Sequence, residues 1–163
     1  MAAPDPVGLV RSYLDAFAGG DPDAIAAHVG EDFANDHRST LGVSCRGRDE
    51  YRRRLPGFLA AFPGLRYEVL DLLADGDRVV VAYTMHAHPE GSALAVPGVM
   101  WFDIADGHII RRVDLFDAGA VPSTSGDATN PALPRSGEDL CHMRIWEKSL
   151  TASVTDSPQT SHG

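Results

Sequence analysis

From residue 65 to residue 117 the chain is written almost wholly in period two. Four alternating runs, 65–73, 78–88, 93–104 and 108–117, are separated by Asp75-Gly76, by a turn over 89–92 and by Asp106-Gly107. Asp-Gly between alternating runs is a strong short-range hairpin signal, because the tight turn needs positive φ angles that these residues tolerate. The spacing predicts four strands in an antiparallel meander. A sheet of this kind has one apolar face to bury, and earlier segments must cover it.

Those segments are helical. Residues 7–18 carry Val10, Tyr13, Leu14 and Phe17 on one face, and Gly19-Gly20 stops them. Asp21 caps a second helix with Pro22 at its first position; it is expected to carry Ile25 and Val29 inward and to end by Gly30. The third and strongest pattern, 47–62, has Tyr51, Leu55, Phe58, Leu59 and Phe62 on its apolar face. Pro56-Gly57 inside it predicts a kink or break. Residues 33–38 read as a short strand. The fold class is therefore α+β, a curved antiparallel sheet wrapped by three N-terminal helices over residues 1–118. A Gly/Pro/Ser/Thr-rich linker follows over 119–137. Ser136 and Asp139 then resemble a capping box that opens a short helix over 138–152, and 153–163 reads as a disordered tail.

A length of 163 residues suits one domain with an appendage. The net charge of −9 argues against a nucleic-acid surface. No basic stretch followed by an apolar run opens the chain, and the longest apolar segments are strand-sized, so neither a signal peptide nor a membrane span is expected. Cys45 and Cys141 stand too far apart in sequence to suggest a disulfide framework or a zinc site, which fits a reduced, cytoplasmic protein. No phosphate loop, nucleophile elbow, dinucleotide fingerprint or metal-ligand spacing is present.

Polar residues on apolar faces are the candidates for chemistry. In a strand over 33–38, Phe33, Asn35 and His37 point one way, and the apolar Phe33 marks that face as the inner one. Asn35 and His37 are then either satisfied core groups or pocket residues. In the last strand Ile110, Arg112, Asp114 and Phe116 are expected to share a face. Asp114 there is either a structural ion pair with Arg112 or an acid/base whose pKa burial raises and Arg112 lowers. Tyr13 is either core packing or a hydrogen-bond donor to a substrate oxygen. His86 and His88 alternate with Thr84 near a turn, as ligands, bases or solvated side chains. Met100 and Phe102 are assigned to the cavity side, with Trp101 outside.

Three segments carry a resemblance: YLDAFAGGDPDAIAAHV, GRDEYRRRLPGFLAAFPGLRYEVLDLLADGDRVVVAYT and VPGVMWFDIADGHIIRRVDLFD. Over about residues 7–118 the chain resembles the SnoaL-like polyketide cyclases of the nuclear transport factor 2-like superfamily. That resemblance implies a cone with a deep apolar pocket and a homodimer formed through the sheet. Asp114 stands where the cyclases carry a final-strand aspartate that acts as acid/base. Tyr13 is similar in place to the helix-one tyrosine of ketosteroid isomerases, and Phe33-Ala34-Asn35 resembles the Tyr-x-Asn of limonene epoxide hydrolases. The implied enzyme closes a ring or isomerises a small apolar or polyketide-like substrate, with no cofactor and no metal. Asp114 moves the proton, His37 is partner base or orienter, Asn35 and Tyr13 bind the developing oxyanion, and Arg112 tunes Asp114. Phe33, Phe58, His86, Met100, Phe102 and Phe116 are the expected substrate-binding wall. The alternatives are a hydrolase of the epoxide-opening kind and a non-catalytic ligand-binding or dimerisation module.

Overall fold

The structure, a computed structural model, describes residues 5–38, 43–117 and 119. The expected helix over 138–152, the tail and the linker beyond Gly119 lie outside the described residues. The elements run α1 (Pro6–Gly19), α2 (Pro22–Ala26), β1 (Val29–His37), β2 (Cys45–Arg46), α3 (Arg48–Ala61), β3 (Arg66–Asp75), β4 (Arg78–Ala87), β5 (Leu94–Ala105) and β6 (His108–Phe116), with a short 3-10 turn at Pro89–Gly91.

Local chemistry sets the helix ends. The Asp5 carboxylate accepts the Val7 N–H at the start of α1, and Gly20, at φ 67°, closes it in the left-handed conformation that costs glycine least. Asp21 caps α2 through the Asp23 N–H. That helix is shorter than its pattern suggested: Val29 opens β1 instead, although it is fully buried as expected. α3 runs through Pro56 as one 14-residue helix. The expected break does not occur, because the proline lies on the exposed side while Tyr51 and Leu55 anchor the opposite side in the core.

The sheet is six-stranded, curved and unclosed, in the order β2-β1-β6-β5-β4-β3. β3 to β6 form the expected antiparallel meander, and Asp106 and Gly107 take φ 50° and 72° at its last hairpin. The sheet as a whole is mixed, however, because β1 pairs parallel to β6. Side-chain alternation is the same for either strand direction, so the pattern alone did not carry that difference. The short β2 strand, antiparallel to β1, is a further addition.

Two bulges set which residues face inward. Asp103 pairs with Arg111, but Ile104 pairs with Ile109, so Ile110 is the extra residue in β6. Ile109 is consequently buried, and Ile110 is turned outward. Ile110 therefore does not share the inner face with Arg112 and Asp114. Leu70 plays the same part in β3 and is exposed. α1 packs on β3, β4 and β6, and α3 packs on β1, β2 and α2. Between them lies a core built on Phe17, Phe33, Val81 and Phe102.

Candidate functional site

The parallel β1–β6 pairing places Asn35 beside Arg112 and His37 beside Asp114. On the other side of β6, Phe102 stands beside Arg112 and Met100 beside Asp114. The local pattern that makes β1 and β6 alternate thus delivers four polar side chains to the inner face in two adjacent rows. Asn35, Arg112 and Asp114 are all buried.

Their hydrogen bonds form one chain. Arg112 Nη2 donates to Asp114 Oδ2 at 3.1 Å, and Arg112 Nη1 donates to the Tyr13 hydroxyl at 2.8 Å. The Tyr13 and Tyr51 hydroxyls are hydrogen-bonded to each other at 2.5 Å. The Tyr83 hydroxyl donates to Asp114 Oδ1 at 2.7 Å. Asn35 Nδ2 donates to His37 Nε2 at 3.1 Å. Since an amide NH₂ only donates, Nε2 must accept, and this arrangement assigns the ring proton of neutral His37 to Nδ1. Nδ1 lies 3.8 Å from Asp114 Oδ2, beyond hydrogen-bond length.

Burial governs the protonation states. It pushes the His37 imidazole down to about 3, helped by the neighbouring Arg112 charge, so the ring is neutral through the physiological range. Burial likewise raises the Asp114 carboxyl; the Arg112 charge and the Tyr83 and Arg112 hydrogen bonds pull it back only in part. Tyr51, Tyr67 and Tyr83 are all pushed up by burial and stay protonated. Burial also raises the Cys45 thiol beside Asn35, which leaves it no nucleophile near neutrality. Arg112 keeps its charge against the cost of burial, facing Asp114 and the tyrosines.

Of the residues singled out in the sequence, the structure brings together Tyr13, Asn35, His37, Arg112 and Asp114. Met100 and Phe102 adjoin them; Phe33 packs on Tyr51 at 4.9 Å between ring centres, and Phe116 lies 6.4 Å from His37. Phe33, Met100 and Phe102 are fully buried members of the packed core. Phe58 is half-buried, stacked edge-on against Phe17 and tilted against Phe62. His86 is not part of the group. Inward positions on β4 are Val79, Val81, Tyr83, Met85 and Ala87, so His86 falls on the opposite face, where it bonds Glu68 at 2.7 Å. It lines a 170 Å³ cleft with Arg66 and His88. A second cleft, of 420 Å³, opens between Glu31, Arg46 and the start of α3. Asp114 lines neither of them.

Sequence reasoning singled out the Tyr13 phenol but missed the other three. All four tyrosines of the chain surround Arg112, from α1, α3, β3 and β4. The available signal was their placement: each lies in the apolar phase of its own element, and a buried phenol needs a partner.

In sequence, residues 10–112 match the model of the SnoaL-like domain, and the chain belongs to that family. The similar solved structures include a candidate polyketide cyclase from Xanthomonas campestris pv. campestris, 30% identical, covering 67% of this chain and 87% of that one with a TM-score of 0.54. A candidate SnoaL-like polyketide cyclase from Jannaschia sp. CCS1 is 22% identical, with 74% and 92% covered and a TM-score of 0.63. A protein of ketosteroid isomerase-like fold from Catenulispora acidiphila DSM 44928, in complex with trimethylamine, is 18% identical, with 69% and 88% covered and a TM-score of 0.64. No curated protein matches the chain. Among the described residues no helix is long and apolar enough to cross a membrane, and no group of three or more His, Cys, Asp or Glu is placed to hold a metal ion.

Proposed function

We propose that the protein is a small-molecule enzyme that works by acid/base catalysis at Asp114, a polyketide cyclase or related isomerase needing no cofactor. One observation carries this reading. Asn35 Oδ1, His37 Nδ1 and Arg112 Nε are buried without a hydrogen-bond partner, and all three belong to residues in the two rows around Asp114. A purely structural ion pair is normally satisfied on every side, because an unpaired buried polar atom costs about 1–3 kcal/mol. Three together form a set of unused donors and acceptors suited to a polar ligand.

The roles follow from the protonation states. Asp114, its carboxyl raised by burial and held by Arg112 and Tyr83, removes a proton from the carbon next to a substrate carbonyl. His37 Nδ1–H and Arg112 Nε–H donate to the enolate oxygen as its charge develops. Asn35 Oδ1 accepts a substrate hydroxyl. When the enolate carbon attacks a second carbonyl, Asp114 returns its proton to the new alkoxide, so no net proton is consumed. His37 serves as donor and orienter in this scheme, since its proton already sits on Nδ1 and its second nitrogen is occupied. Tyr13 acts through Arg112. Phe58, Leu59, Phe62 and Phe116 are half-buried apolar side chains packed against the core, and in this reading the substrate enters past them. On the outer face Val99, Ile110 and Leu115 are exposed, at 39–42%, around the buried Val113. Two copies of the chain pair through that face in this reading.

The test is deuterium exchange from D₂O at the carbon next to the carbonyl of α-tetralone and a panel of similar aromatic ketones. Wild-type protein should accelerate exchange, and Asp114→Asn should lose about 10²–10⁴-fold of that rate. Equal rates for the two proteins across the panel sink the acid/base assignment. Appearance of solvent oxygen in the product would favour a hydrolase instead.

A further inference from the structure

Asp114 and Tyr83 are joined across an intervening strand. Tyr83 is on β4 and Asp114 on β6, with β5 between them, so their backbones are about 10 Å apart at ordinary strand spacing. Yet the Tyr83 hydroxyl reaches Asp114 Oδ1 at 2.7 Å. It does so by lying over Gly98, which is paired with Tyr83 on one side and with Phe116 on the other. A Cβ at position 98 would fall 2.4 Å from the Tyr83 hydroxyl oxygen, 2.5 Å from its Cζ and 2.9 Å from the Leu115 carbonyl oxygen. No side chain fits there while the phenol holds this position. Glycine inside a strand weakens it by entropy and lost packing, so its presence in the middle of the central β5 calls for a reason of this kind.

We propose that Gly98 and Tyr83 form one positioning device, in which the missing side chain of Gly98 is the channel that lets Tyr83 fix and ionise the Asp114 carboxylate. The inference rests on the acid/base reading for its catalytic meaning, though not for its geometry. Every charged or titratable group facing Asp114 enters the balance. Arg112 lies on its own strand, His37 on β1, Tyr83 on β4 and Tyr67 on β3, while Tyr13 from α1 and Tyr51 from α3 act through Arg112. Among these, Tyr83 binds Oδ1 and Arg112 binds Oδ2, so Tyr83 decides the orientation of the oxygen that Arg112 does not hold.

The decisive measurement is the ¹³C NMR titration of the Asp114 carboxyl in the full chain, which needs no substrate. Tyr83→Phe keeps the ring over Gly98 and deletes only the donor. It should raise the Asp114 pKa by about one pH unit, the loss expected for one hydrogen bond to a charged group. Gly98→Ala should raise it by a similar amount by displacing the phenol, and adding Gly98→Ala to Tyr83→Phe should raise it little further. An unchanged Asp114 titration in Tyr83→Phe overturns the proposal whether or not Gly98→Ala folds. A raised pKa in Tyr83→Phe with none in a folded Gly98→Ala overturns the part assigned to Gly98. If both pKa values move but Asp114→Asn retains full exchange activity, the positioning device stands and the catalytic reading fails.

Discussion

Replacing Arg112 by Met leaves the Asp114 carboxylate buried without the cation that faces it. Both residues are only 3% exposed, so water does not take the place of the guanidinium. Removing one partner of a buried pair costs about 3–5 kcal/mol, which includes the donor lost by Tyr13. At about 3 °C per kcal/mol for a chain of this size, the melting midpoint should fall by about 10–15 °C near pH 8. The deficit should depend on pH. In the variant the Asp114 pKa, already raised by burial, climbs further above its unfolded value of about 3.9. A carboxyl that binds its proton more tightly folded than unfolded contributes stability that is complete below the unfolded pKa and is lost as pH rises through the folded one. Acidification should therefore restore part of the loss. His37, released from the Arg112 charge and 3.8 Å from Asp114, can take up a proton in the same range and act in the same direction. Urea denaturation at pH 8 and pH 5.5 measures both terms. The double variant Arg112→Met/Asp114→Leu should recover most of the stability, because it removes the whole pair. A deficit under about 1 kcal/mol at pH 8, or equal deficits at the two pH values, would refute this account of the buried pair.

Two further outcomes test neighbouring parts of the structure. His37, held neutral with its pKa down at about 3, binds a proton more readily unfolded, so stability should fall as pH drops below about 6.5, by up to about 1.4 kcal/mol per pH unit. His37→Gln should flatten that limb in a denaturation series, and an unaltered limb means that other groups cause it. On the outer face, Val99→Glu should shift sedimentation toward monomer if copies pair there, and an unchanged sedimentation coefficient removes that interface.

Much of the site was legible wherever a short local rule governed it. The apolar face of α1, the caps at Asp21 and Gly20, the Asp106-Gly107 turn and the shared face of Phe33, Asn35 and His37 each depend on a few neighbouring residues. Arg112 and Asp114 were readable as a pair because they are two apart on one strand. What escaped notice depends on distant partners or on single insertions. Ile110 reads as inward until one extra residue in β6 reverses the alternation upstream of Arg112. His86 reads as a pocket residue until the burial pattern of β4 fixes the inner phase on Val81 and Tyr83. The ring of tyrosines needs four elements to be assembled before it exists, and no spacing in the sequence encodes that. Gly98 looks like an ordinary weak point in a strand; its use depends on a phenol from the strand alongside.

The parallel seam between β1 and β6 also has a consequence for the order in which the molecule is built. Within the sheet β1 touches only the two-residue β2 and β6, so its long partner is the last strand of the domain. Tyr13 and Arg112 are separated by 99 residues, and Asp36 and Arg111 by 75. Contacts of such range form late, because a long loop must close before they return any free energy. During synthesis the helices and the first meander strands leave the ribosome while β1 still has an open edge and Asn35 and His37 have nothing to face. The buried polar cluster around Arg112 and Asp114 is thus assembled at the final seam, and any defect that delays the closing of β6 leaves a folded-looking scaffold without it.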